Sequence, residues 1–163
     1  MRLRPTVLET RVVQALLAGD EEPFPALREQ WASAWITKRA HTRWSLIADI
    51  EVARRTAPVR PTRFDLSDVH LEFESIAGGG YGAVFVDGGR LVQLEIANWQ
   101  GPWRRGAQLR SILYTRTVLP VHDDGDAQFI PIAERDWDGV HETLKEAASW
   151  PASPDEGSSL TGA

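Results

Sequence analysis

Residues 68–99 read DVHLEFESIAGGGYGAVFVDGGRLVQLEIANW, from Asp68 to Trp99, and their pattern decides the fold. Val69, Leu71 and Phe73 alternate with His70, Glu72 and Glu74, the period of two that sets one face of a strand on a core and the other toward water. Gly78, Gly79 and Gly80 interrupt the alternation, because a run without Cβ loses too much backbone entropy inside a strand and suits a turn with positive φ. Tyr81 to Val86 and Leu91 to Ala97 are two further β-prone runs. Asp87-Gly88-Gly89 between them supplies residues that tolerate the left-handed geometry of a tight hairpin. This stretch alone therefore specifies three antiparallel strands.

Toward the N-terminus, Thr6 and Glu9 have the spacing of a capping box, and Leu8, Val12, Ala15 and Leu16 recur at helical period before Gly19, which places a helix over residues 7–18. Pro23 and Pro25 are tolerated only in a first turn, so a second helix is expected to start near residue 23, with Phe24, Leu27, Trp31, Ala34 and Trp35 as its apolar stripe. Thr37-Lys38-Arg39-Ala40-His41 reads as a basic turn. Arg43 to Val52 then alternates as a strand, with Trp44, Leu46, Ala48, Ile50 and Val52 on one face. Ile47 breaks the polar side, as in a central strand or one partly covered on its second face. Ala53 to Arg63, with Pro58 and Pro61, reads as a loop.

Beyond the hairpin, Trp99-Gln100-Gly101-Pro102-Trp103-Arg104-Arg105-Gly106 is turn-rich, with two aromatics and two arginines outside any periodic element. Leu109 to Leu119 and Gln128 to Ile132 read as a second strand pair joined by a turn at Asp123-Asp124-Gly125-Asp126. Trp137, Val140 and Leu144 mark a short C-terminal helix. The expected fold is α+β: two N-terminal helices packed on an antiparallel sheet of about four to six strands, with residues 1–150 as a single domain. The Ser-, Pro- and Gly-rich residues 151–163 are expected to be a disordered tail.

The 163 residues carry 18 Lys and Arg against 23 Asp and Glu, a net charge of −5, so no overall positive field favours nucleic acid or an anionic membrane. Cysteine is absent, which removes disulfides and thiolate metal sites. No run has the length and apolarity of a signal peptide or a membrane span, so a cytoplasmic location is expected.

Motifs that carry chemistry are few. Gly79-Gly80-Tyr81-Gly82-Ala83-Val84-Phe85 looks like a protein-kinase glycine-rich loop, but Ala77 stands where the first glycine belongs and no catalytic-loop signature follows, so a plain β-turn is the better reading. His41, His70, His122 and His141 are scattered. The aspartates at 123, 124 and 126 lack the alternating ligands of a calcium loop, so neither a metal nor a cofactor is expected. Asp49, Glu51, Glu72, Glu74 and Glu95 all fall on expected strands, where crowding could raise a pKa for acid–base work; a solvated sheet face uses the same pattern, and no catalytic residue is assigned.

The stretch from about Leu16 to Trp99 resembles a set of small, uncharacterised bacterial proteins that share a helical N-terminal portion, a glycine-rich turn, an F-V-x-D-G-type hairpin and a following L-E pair. Gly78 to Gly82, Phe85-Val86-Asp87-Gly88, which lacks the spacer, and Leu94-Glu95 carry the likeness. It implies an α+β domain and transfers no activity.

By elimination, the expected function is that of a non-catalytic protein-binding domain, of the immunity or antitoxin-like kind. Trp99, Trp103, Arg104 and Arg105 are its candidate contacts, because Trp and Arg are the commonest interface anchors. The alternative is a small-ligand binder or metal-independent enzyme using the sheet carboxylates.

Overall fold

The computed structural model describes residues 2–118 and 128–150. Helix α1 (Val7–Leu16) begins as its sequence requires: the Thr6 side chain accepts from the Glu9 N–H while the Glu9 carboxylate accepts from the Thr6 N–H. Helix α2 (Phe24–Ala32) follows, with Pro25 in its first turn. Seven strands succeed them: β1 (Trp35–His41), β2 (Ser45–Glu51), β3 (Phe64–Phe73), β4 (Gly80–Asp87), β5 (Arg90–Asn98), β6 (Leu109–Val118) and β7 (Gln128–Ile132). Helix α3 (Trp137–Ala148) closes the order.

The strands form one antiparallel sheet in the order β1-β2-β5-β4-β3-β6-β7. The fold is thus α+β as expected, with seven strands in place of four to six. The added strand is β1, which covers the residues expected to be a basic turn. An edge strand, paired along its length with β2 and on its outer side only by the Leu3–Ile36 bridge, can carry Lys38, Arg39 and His41, so its sequence lacks the alternation of a half-buried strand. Helix α2 correspondingly stops earlier than its apolar stripe suggested. Ser33 caps it, its hydroxyl donating to the Gln30 carbonyl, and Trp35 opens β1 with the Arg4 guanidinium 3.9 Å above its ring.

Strand β3 starts at Phe64, five residues before the expected Val69, because the register shifts between Leu66 and Val69 and breaks the alternation. Glu74 falls just beyond that strand. The hairpin at Gly88-Gly89 is as expected: Asp87 pairs with Arg90, and both glycines have positive φ, 55° and 71°. The expected turn at Asp123 to Asp126 and the tail at 151–163 lie outside the described residues.

The helices lie on one sheet face, α1 against β3 to β6, α2 against β5 and α3 against β3. Val12, Val13, Leu16 and Leu27 from the helices and Val69, Leu71, Val84, Leu94 and Ile96 from the sheet are fully or almost fully buried there. The approach is close because Gly82 has no side chain: a Cβ at that position would lie 2.4 Å from Val12 Cγ1. Gln30 joins α2 to the hairpin. Its buried amide donates to the carbonyls of Ala57 and Gly89 and accepts from the Leu91 N–H, each at 2.9 Å.

Among the described residues no helix packs on the opposite face. Strand alternation and register place Ile47, Asp49, Tyr81, Phe85, Glu95 and Leu113 there. No helix among the described residues is long and apolar enough to cross a membrane.

Candidate partner-binding site

Two short connections meet at one end of the sheet. The first, Thr42 to Trp44, turns β1 into β2. It is built on Thr42, whose hydroxyl accepts from the N–H groups of Trp44 (3.1 Å) and Ser45 (2.9 Å) while its own N–H donates to the Ser45 carbonyl. Trp44 was expected on the apolar face of a strand. As a turn residue it is instead 47 % exposed, and the Arg43 guanidinium lies 5.0 Å over its ring.

The second connection is the Trp99 to Gly106 segment between β5 and β6. Main-chain bonds tie it to the first: Asn98 N–H donates to the Trp44 carbonyl at 3.0 Å and Trp103 N–H to the Arg43 carbonyl at 2.7 Å. Asn98 Nδ2 donates to the Pro102 carbonyl at 3.1 Å, and Gly101 and Gly106 take positive φ, as exposed turns require.

The four residues singled out in this segment separate into two kinds. Trp99 is 44 % exposed, and Arg104 and Arg105 are exposed. Trp103 instead turns inward, half-buried, its ring edge-on to Phe73 at 5.7 Å and packed against the core. Its indole Nε1 and the Asn98 Oδ1 are both buried without a hydrogen-bond partner among the described residues. Trp103 therefore anchors the segment that displays the other three.

Trp99 also links the loops to the sheet face opposite the helices. Its ring lies 4.8 Å from Tyr81 and 6.0 Å from Phe129, which is stacked on it and 57 % exposed, so three aromatics run from the loop end toward β7. Burial pushes the Tyr81 phenol up, and the Glu95 carboxylate beside it adds to the shift.

Within the segment, the Gln100 side chain packs on the turn at Gly78. Beyond that turn is a hollow of about 460 Å³ bordered by His70, Glu72, Phe73, Gly79 and Arg110. Glu72 accepts from the Ser111 hydroxyl there. Arg43, Arg104, Arg105 and Arg110 are all exposed, and none makes an ion pair among the described residues.

The sheet carboxylates do not gather as a group, although Asp49 and Glu95 are diagonal neighbours on β2 and β5. Glu51 pairs with Arg2 at the β1–β2 edge, Asp49 accepts from Gln93 at 3.1 Å, Glu72 faces Ser111 and Glu95 faces Ile47 and Ala83. The register sets none of these four directly opposite another.

Arg43, Trp44, Arg110 and Phe129 were missed as site residues. Only the neighbouring Trp and Arg at 43–44 gave a local signal, and strand alternation masked it; the other two join the site through pairing distant in sequence. Comparison of the chain with protein-family models, with curated proteins and with solved structures finds no match.

Proposed function

We propose that this chain is a non-catalytic protein-binding domain of the immunity or antitoxin-like kind, and that it meets its partner with the loop end bearing Trp44, Trp99, Arg104 and Arg105. The observation that carries this reading is the pair of exposed tryptophans fixed by main-chain hydrogen bonds between two loops. Binding energy at interfaces concentrates in Trp and Arg, and anchors already held in place lose less conformational freedom on association. Tyr81 and Phe129 extend the apolar surface around Trp99. None of Asp49, Glu51, Glu72 and Glu95 sits directly cross-strand from another, which weighs against an enzyme that works by paired sheet carboxylates.

The immunity-like part of the reading makes the partner a harmful protein encoded beside this one. Each flanking reading frame is expressed with and without the chain. Growth arrest by one neighbour should be relieved by the wild type and by a Val7→Ser control on the helical side, where Val7 is exposed. A Trp44→Ala/Trp99→Ala variant that melts like the wild type should give no relief. Equal relief by that variant would remove this surface from the interface. If no flanking product is neutralised or forms a complex with the chain, the immunity-like reading fails.

A further inference from the structure

We infer that the partner meets this loop end with an acidic protein surface, an inference that rests on the binding reading above and adds the chemistry of the partner. The chain as a whole carries a net charge of −5, yet Arg43, Arg104 and Arg105 sit on the two linked loops and Arg110 lines the adjoining hollow. The acidic residues at the end of β3 are Glu72, already engaged by Ser111, and Glu74. The end is therefore locally basic on an otherwise acidic body. Arginine forks match carboxylates in a bidentate geometry, and two exposed indoles beside them supply the apolar contact that a purely ionic surface lacks.

A nucleic acid would satisfy the same arginines, but the rest of the molecule disfavours it. Exposed charges act over about 8 Å at physiological ionic strength. A polyanion longer than the loop end would run onto surface whose net charge is negative. A folded protein with a local acidic patch meets the arginines alone, so the observations favour it.

The test uses the whole chain and three fluorescent probes: a peptide alternating glutamate and aspartate with single tyrosines, a Ser/Gly peptide of equal length, and a single-stranded oligonucleotide of the same charge as the acidic peptide. The acidic peptide should bind and the Ser/Gly peptide should not. Arg104→Glu/Arg105→Glu should weaken binding of the acidic peptide by about tenfold or more, and raising salt from about 50 to about 200 mM should weaken it several-fold, as rim charges do. Glu21→Lys, on the helical side, should leave binding unchanged.

Tighter binding of the oligonucleotide than of the acidic peptide overturns the choice of partner, and equal binding by the arginine-reversed variant overturns the site. Failure of the binding reading is seen separately. A neighbour-encoded partner captured by Trp44 and Trp99 but indifferent to salt and to Arg104→Glu/Arg105→Glu leaves that reading standing and removes the acidic partner. Absence of any neighbour-encoded complex removes the immunity-like reading, while the peptide titration still decides the chemistry of the surface.

Discussion

Glu9 shows how one residue serves helix, sheet and charge balance together. Its side chain is fully buried, accepts from the Thr6 N–H, and is gripped by Arg39 of β1 through Nε at 2.7 Å and Nη2 at 2.8 Å. Burial alone would raise its pKa. The hydrogen bonds and charge of Arg39, with the two groups of Thr6, outweigh that penalty and hold the carboxyl below the ordinary glutamate value. Because the folded pKa is the lower one, the pair's stabilisation is present above the unfolded value and is lost as pH falls through the folded value. Urea midpoints followed from about pH 7 to about pH 3 should therefore decline less for Glu9→Gln than for the wild type over that window. Arg39→Ala at neutral pH leaves a buried carboxylate unpaired and should cost about 3–5 kcal/mol. Parallel pH curves for Glu9→Gln and wild type would show that this carboxyl does not contribute as argued.

At the scale of elements, what was legible depended on how far a pattern was local. The β4–β5 hairpin lies wholly in contiguous residues, so alternation plus Gly88-Gly89 located it within a residue or so. Strand β1 was illegible because an edge strand needs no buried second face, and the first half of β3 was hidden by its bulge. Trp103 and Trp99 look alike in sequence; only the fold shows that Phe73 receives one and leaves the other outside. The meeting of Arg43 and Trp44 with the later loop arises because β5, not β3, lies beside β2, a strand order that local sequence does not encode. The hairpin also gives a graded prediction. A Cβ at Gly88 would meet nothing within 4 Å, so Gly88→Val carries only the backbone penalty, about 1 kcal/mol or more. At Gly89 positive φ is joined by a clash, with a Cβ placed 2.6 Å from the Val59 carbonyl oxygen, so Gly89→Val should destabilise more. Denaturant melts that rank Gly88→Val as the worse variant, or leave both unchanged, would contradict the hairpin geometry.

For the whole molecule, the question is how α3, which follows the last strand, is held to elements more than a hundred residues earlier. Arg135, just before α3, is the chief polar link. It donates to Asp68 of β3 through Nε at 2.6 Å and Nη2 at 2.9 Å, and to the Leu16 carbonyl at 2.8 Å and the Ala18 carbonyl at the end of α1. Its guanidinium lies 4.9 Å over Phe24, 5.0 Å over Trp137 and 5.5 Å over Tyr114. A cation at the C-terminal end of α1 is also favourably placed against the helix dipole. One planar fork thus ties together α1, α2, β3, β6 and α3, and a lysine keeps the charge while losing the fork and the stacking. Arg135→Lys should destabilise the fold by about 2–3 kcal/mol, because acceptors ordered around the guanidinium lose their partners. The loss should also be uneven. Helix α3 packs at the rim of the core, on β3 and through Trp137 on Phe24, and meets neither β4 nor β5 in quantity, so amide exchange over 137–148 should accelerate well before exchange in those central strands. A variant in which α3 and the central strands exchange together, at an unchanged urea midpoint, would mean that apolar packing alone secures the C-terminal helix.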